Sequence, residues 1–276
     1  MTAVEVSTRP VLVALDIDGT LLLEDESLSE GILEAIRAAE AAGHTLMLAT
    51  GRSWNTTQGI MAKLGLEPEY VVSSNGAVIL RRDAVDATGY APFQVETFEP
   101  AAVLTLLREH LPEARYMVEK PNGARLYTED IPEWELGRAQ QVPFKAMMEV
   151  PVSRVVVVSP NHDEGEFLRL VESIGLNQVS YAVGWTAWLD IAPHGVNKGT
   201  AMEQVREWLG FAPADVLVIG DGRNDLEMFE WARLGGGRAF AMGQGPQEVR
   251  DAASHVTASV HEGGAAQVLR DLVAGA

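Results

Sequence analysis

The chain has 276 residues, 47% of them hydrophobic, enough to bury a large core as one big domain or two modest ones. Against 39 Asp and Glu stand only 21 Lys and Arg, and the formal charge of -18 argues against a nucleic-acid partner, which demands a basic face. There are no cysteines, so disulfides, thiolate nucleophiles and zinc-thiolate sites are excluded, and any metal is expected to be oxygen-bound.

The first apolar run, Val11 to Leu15, is interrupted by Asp16. It is too short for a signal-peptide core or a membrane span of roughly 20 residues. The expectation is a cytoplasmic protein without a membrane partner; the sequence is silent on its oligomeric state.

Taken in order, apolar runs bounded by turn residues alternate with helical patterns, the signature of strand-helix-strand units around a parallel sheet. "VLVALDID" reads as the first strand. Ser27 and Glu30 have the spacing of a capping box, before Ile32, Leu33, Ile36 and Ala39 at helical intervals and Gly43 as the stop. "HTLMLAT" is the next strand, residues 53–64 the next helix, and "YVVSSNGAVIL" is strand material with a bend at its glycine. Far downstream, "DVLVIG" is short and wholly apolar, as a central strand should be.

Between about Asp83 and Trp188 the texture changes. Helix patterns ("PAAVLTLLREHL", "DEGEFLRLVESIG") mix with β-rich segments ("ARLYT", "SRVVVVS") and with prolines at 92, 100, 112, 121, 132, 143, 151 and 160. This predicts an inserted α+β domain over 84–188, with 1–83 and 189–276 forming an α/β core that has helices on both faces. The tryptophans at 54, 134, 185, 188, 208 and 231 are scattered and read mostly as packing residues.

In parallel sheets ligands sit at the carboxyl ends of the strands, where Asp16 and Asp18 fall. Taken alone, "DIDG" fits a turn or a calcium loop as well as a catalytic pair. Three other strand ends carry complementary groups: Thr50 in "MLATGR", Lys198 in "VNKG", and Asp221, Asn224 and Asp225 in "VIGDGRNDLEM". Carboxylates such as Asp16 and Asp221 suit Mg²⁺ with a substrate phosphate. The Thr50 hydroxyl suits a phosphoryl oxygen, and the Lys198 ammonium offsets the charge of phosphate and attacking carboxylate.

With these four motifs in order, Asp16-Ile17-Asp18-Gly19-Thr20, Thr50-Gly51-Arg52, Asn197-Lys198-Gly199 and Gly220-Asp221-Gly222-Arg223-Asn224-Asp225, the sequence resembles the haloacid dehalogenase superfamily. The resemblance is to its Cof-type, subfamily IIB sugar-phosphatase branch, and it spans nearly the whole chain, including "SSNGA" and "AFAMG". It implies a Rossmann-like core and a cap between the second and third motifs. It also implies Mg²⁺-dependent hydrolysis of a small phosphorylated metabolite, with Asp16 as nucleophile and Asp18 as the acid and base. Metal ligands by the same resemblance are Asp16, the Asp18 backbone carbonyl and Asp221, with Asp225 counted in the metal group; Asn224 and Asp225 also orient Lys198 and metal-bound waters.

Gly51, Arg52, Asn75 and Asn224 are expected to meet the substrate, although Arg52 also fits a structural ion pair and Asn75-Gly76 a plain turn. His194 reads as a surface or cap-facing histidine, and Lys120 and Arg125 as either an anion site or solvated surface. The chain departs from the family pattern at "AMGQG" and "HEGGA". Two other functions stay open, a phosphosugar mutase and a non-catalytic phosphometabolite-binding protein. Release of inorganic phosphate separates the first from the phosphatase reading, and retention of Asp16, Asp18, Lys198 and Asp221 weighs against the second.

Overall fold

The computed structural model describes residues 9–129, 139–176, 179–183 and 187–275. In chain order its strands and helices begin with β1 (Leu12–Leu15), α1 (Ile32–Ala41), β2 (Thr45–Leu48), α2 (Trp54–Leu64), β3 (Tyr70–Ser73), β4 (Val78–Arg82), β5 (Tyr90–Val95) and α3 (Ala101–His110). They continue with β6 (Arg115–Glu119), β7 (Arg125–Tyr127), β8 (Ala139–Gln141), β9 (Arg154–Val158), α4 (Glu164–Ile174), β10 (Val179–Val183) and β11 (Trp188–Pro193). The last are α5 (Lys198–Leu209), β12 (Val216–Gly220), α6 (Leu226–Leu234), β13 (Arg238–Ala241), α7 (Gln247–Ala252), β14 (His255–Val256) and α8 (Gly264–Ala274).

The period-2 alternation of a strand lets β1 serve two cores at once. Val11, Val13 and Leu15 face one cluster, with α1 and α8, while Leu12 and Ala14 face another, with α5 and α6. β1 pairs in parallel with β12 (Leu12 opposite Val216) and with β2 (Leu12 opposite Thr45), giving the sheet order β14-β13-β12-β1-β2. β12 is the middle strand, as its apolar sequence predicts. A parallel bridge between Ala49 and Val72 carries the layer on to the antiparallel set β3-β4-β5.

The six-stranded sheet β10-β11-β9-β6-β7-β8 has its own core, in which Tyr116, Val118, Val155, Val157, Leu189 and Ile191 pack beneath α3 and α4. Strand pairing cuts the chain differently from the boundaries read at 83/84 and 188/189. β5 pairs with β4, and β11 lies between β10 and β9 of the six-stranded sheet. Texture locates strands but not their partners.

Local signals mostly hold. Helix α2 stops at Gly65 in a left-handed conformation, and Asn197 caps α5 in a reciprocal capping box with Thr200. The box read at Ser27 and Glu30 does not form: Ser27 bonds to Asp25, and α1 begins after Gly31 without a side-chain cap. The intervening turn, bridged between Leu22 and Leu28, lies too far upstream for Ser27 to reach the first helical amides. Trp54 packs against the first core, Trp231 donates to Glu203, and Trp208 is part-exposed beside Tyr70 and Phe93. Pro132, Trp134 and Trp185 lie outside the described residues.

Phe167 on α4 is fully buried in the core of the six-stranded sheet. Phe167→Ala is expected to destabilise this unit by roughly 3–5 kcal/mol, the usual cost of truncating a buried aromatic. Urea unfolding followed by circular dichroism checks it; a cost below about 1 kcal/mol would show that the core relaxes around the void.

Candidate active site

Four loops meet at the carboxyl ends of β1, β2 and β12 and at the start of α5. Lys198, the first residue of α5, is wholly buried, and its Nζ donates at 2.7 Å to Asp16 Oδ1 and at 2.7 Å to Asp225 Oδ1. Burial opposes its charge, but Coulomb attraction to Asp16 and then Asp225, with the two hydrogen bonds, outweighs that and raises its pKa. The ammonium stays charged at any physiological pH.

Asp225 spends both oxygens on protein donors, since its Oδ2 accepts the backbone N–H groups of Asp221 and Gly222 at 3.0 Å each. It thus fixes the turn that presents Asp221. Carboxylate oxygens of Asp16, Asp221 and Asp225 lie within 4.8 Å of one another, all buried. Three such carboxylates against one ammonium leave excess negative charge in a poorly solvated place. Burial foremost, then neighbouring carboxylate charge, raises the pKa of Asp221. Burial also raises Asp16, partly offset by Lys198 and reinforced by Asp225 and Asp18. An oxygen-bound divalent cation is the species that such a donor set fits.

Glycine is required where the loops crowd. Gly19 has φ +68°, and a Cβ there would collide with the Asp221 carboxylate; at Gly220 it would collide with that of Asp225. Gln244, in the departing "AMGQG" segment, donates to the Gly19 carbonyl at 2.6 Å and accepts from Val260 N–H at 3.0 Å. It braces the first loop from the far side, a role that the sequence did not reveal.

Thr50 is buried, and its Oγ1 accepts the Arg52 N–H at 3.0 Å, which fixes the rotamer of the hydroxyl. Arg52 reaches Asp18 through Nε at 2.8 Å and Nη2 at 2.5 Å, and Glu26 at 2.9 Å. Of its two sequence readings, the ion pair is the one seen, and its partner is the expected acid and base. Asp18 itself is exposed.

Asn75 sits in a left-handed turn (φ 51°) next to Ser74 (φ 50°), in a loop whose amides bond to the Arg52 and Thr50 carbonyls. The Asn75 Oδ1 accepts from Asn224 at 3.0 Å and its Nδ2 donates to Asp190 at 2.6 Å. Both amides lie close over Gly51, where a Cβ would approach Asn75 at 3.0 Å and Asn224 at 3.3 Å. The structure therefore gathers Asp16, Asp221, Asp225 and Lys198 into one cluster and Gly51, Asn75 and Asn224 into an adjoining one, with Asp18 and Arg52 paired at the rim. His194 is exposed, Lys120 is half-buried, and Arg125 is buried against Glu119. Asp190 and Arg154, absent from the sequence reading, carry a signal in retrospect: each is a charge inside an otherwise apolar strand.

Comparison with known proteins agrees with this architecture. A model of the haloacid dehalogenase-like hydrolases matches residues 13–269. The "Putative phosphatase YxeH" of Bacillus subtilis (strain 168) is 31% identical over 274 residues, covering 95% of this chain and 98% of the relative. The 5-amino-6-(5-phospho-D-ribitylamino)uracil phosphatase YitU of the same organism is 25% identical over 276 residues, covering 96% and 98%. The solved structure of the subclass IIB sugar phosphatase BT4131 superposes with a TM-score of 0.77 at 20% identity, covering 94% of this chain and 98% of that one. The chain belongs to the haloacid dehalogenase-like hydrolase family, and its activity is that of a phosphoric monoester hydrolase.

The raised carboxylates make a pH prediction. A folded-state pKa above the unfolded value means that the native state holds more protons, so stability is full below the ordinary carboxylate range and is lost as pH rises through the raised values. In metal-free protein, Tm is expected to fall from mildly acid pH through neutrality, and Asp221→Asn to flatten that slope. Differential scanning calorimetry across pH decides it; an unchanged slope in the variant would show that Asp221 does not carry the strain.

Proposed function

We propose that the protein is a Mg²⁺-dependent phosphatase acting on a small phosphomonoester, most simply a sugar phosphate, through an aspartyl-phosphate on Asp16. The observation that carries this reading is the Lys198 ammonium held at 2.7 Å from Asp16 beside the Asp221 carboxylate. That arrangement fits a nucleophilic carboxylate flanked by a place for a cation.

Asp16 and Asp221, with the Asp18 backbone carbonyl, are the groups that would hold Mg²⁺; Asp225, with both oxygens already engaged, positions Lys198 and the Asp221 turn. The ion, when bound, offsets the repulsion between the Asp16 carboxylate and the phosphoryl dianion.

Lys198 pins one oxygen of Asp16, and the other attacks phosphorus in line with the ester oxygen. As the bond from phosphorus to that oxygen breaks, Asp18 gives its proton to the leaving alkoxide. Asp18, now a carboxylate, takes a proton from water; the water oxygen bonds to phosphorus, the bond to Asp16 breaks, and phosphate leaves. Both Asp18 oxygens accept from Arg52 at the rim, so the acid role requires Asp18 to rotate away from the guanidinium and take up a proton from solvent before the ester oxygen departs. The Thr50 hydroxyl donates to a phosphoryl oxygen, and Gly51 leaves room for the Asn75 and Asn224 amides, which meet the substrate. Polyhydroxylated substrates are favoured because YitU is named for a phosphoribityl compound and BT4131 as a sugar phosphatase.

Asp16→Asn is expected to lower turnover by at least about a thousandfold while the protein still unfolds cooperatively, because an amide is isosteric but does not attack phosphorus. A folded variant with substantial phosphate release would refute the covalent route. Phosphate release from hexose monophosphates is expected to stop with chelator and resume on adding Mg²⁺, with Ca²⁺ a poor replacement because its coordination is larger and looser. Full turnover in protein shown to be metal-free by elemental analysis would refute the metal requirement.

A further inference from the structure

The six-stranded sheet buries one face under α3 and α4. Alternation sends Asp190 and Ala192 of β11, Arg154 and Val156 of β9, and Met117 and Glu119 of β6 to the other face. On that face the charges form a ladder across the strands. Arg154 grips Asp190 with Nε at 2.6 Å from Oδ1 and Nη2 at 2.8 Å from Oδ2. Glu119 stands opposite Arg154 in the β6–β9 pair and accepts from Arg125 Nε at 3.1 Å. All four side chains are buried, and the two acids and two bases sum to no net charge.

Both ends of the ladder land on the α/β core. Arg125 donates to Ser53 Oγ, next in sequence to Arg52. At the other end the Asp190 Oδ2 accepts from Asn75 Nδ2 at 2.6 Å, and Asn75 Oδ1 accepts from Asn224 at 3.0 Å, one residue from Asp225. A buried ion pair gains little stability over apolar packing of the same volume, so stability alone does not account for four charges on this seam. Such a pair does impose direction. Asp190 receives three charge-assisted or amide hydrogen bonds, which hold β11 in one orientation over the Asn75 turn.

We propose that Asp190, set by Arg154, is a positioning residue: through Asn75, which Asn224 holds from the other side, it seats the six-stranded sheet over the mouth of the site, so that the leaving-group side is complete only when the sheet is seated. The inference rests on the phosphatase reading for its kinetic consequence but not for its structural one. Asp190 touches no reacting atom. It acts on the leaving-group side, where a substrate with a bulky alcohol needs the sheet in place and a small aryl phosphate does not.

The test exchanges the two partners. Asn75→Asp sets two carboxylates against each other, and Asp190→Asn removes the strong acceptor; the double variant restores an amide-to-carboxylate hydrogen bond with its polarity reversed and keeps an acceptor for Arg154 Nε, at the loss of the Arg154 Nη2 bond to Oδ2, while residue 75 can still accept from Asn224. Seating is read directly by the spin-spin distance between labels at Glu172→Cys on α4 and Glu230→Cys on α6, both exposed, in a chain without native cysteine. One narrow distance is expected in the labelled parent, a longer or broader distribution in each single variant, and a distribution closer to the parent's than either in the double variant. In parallel, kcat/KM for a hexose monophosphate should fall about tenfold or more in Asp190→Asn, with p-nitrophenyl phosphate changed less than about threefold.

Unaltered distances in Asn75→Asp overturn the proposal, as do altered distances with an unaltered ratio between the two substrates. If Asp190→Asn does not fold, Asn75→Asp, which keeps the Arg154 pair, carries the distance measurement, and that measurement alone decides the tie. Parent protein that releases no phosphate from any monoester with Mg²⁺ would defeat the phosphatase reading, while the distance measurement would still decide the tie.

Discussion

A single buried ammonium sets the terms for the rest of the molecule. Lys198 is wholly enclosed, and an enclosed cation is tolerable only with carboxylates at hydrogen-bonding distance, here Asp16 on one side and Asp225 on the other. Those three residues come from the first strand, the start of α5 and the turn after β12. The strand order that brings β1 beside β12 is thereby made energetically consistent with the site, since any other arrangement would strand the charge.

The same crowding explains the sequence around it. Two carboxylates held this near each other leave no space for side chains on the loops that carry them, hence Gly19 against Asp221 and Gly220 against Asp225. Burial, with the neighbouring carboxylates adding to it, raises the pKa values of Asp16 and Asp221; holding them ionised is unfavourable for the protein by itself and favourable toward a cation and an electron-poor phosphorus. Local instability at the site is in this sense the counterpart of its reactivity.

Much of this was legible in the sequence because it is written in short, locally readable units. The strands β1, β2 and β12 show as apolar runs, and the polar residues that follow each run sit at strand ends, where a parallel sheet brings distant segments together. Asp16, Lys198, Asp221 and Asp225 could therefore be grouped without coordinates. What was not legible depends on pairing. The placement of β5 and β11 is decided by partners tens of residues away, and the polar ladder appears only once β6, β7, β9 and β11 are set side by side. Arg52 was read with two roles open, and only the fold shows that its partner is Asp18. Gln244 acts on Gly19 across 225 positions of sequence, a distance over which no spacing rule operates.

One connection has a mechanical meaning. Strand β11 ends at Pro193 and helix α5 begins at Lys198, so residues 194–197 alone separate the six-stranded sheet from the buried ammonium. Asn197 is clamped to Thr200 by the reciprocal cap, and the helix below is pinned by packing of Ala201, Met202 and Val205. The strand is thus joined through four residues to an anchored helix turn, with Lys198 at the inner end of the link. Such a layout puts Gly195, left-handed at φ 74°, in the short link between β11 and α5, so the strand that carries Asp190 and the helix that carries Lys198 are set relative to each other by a handful of consecutive bonds.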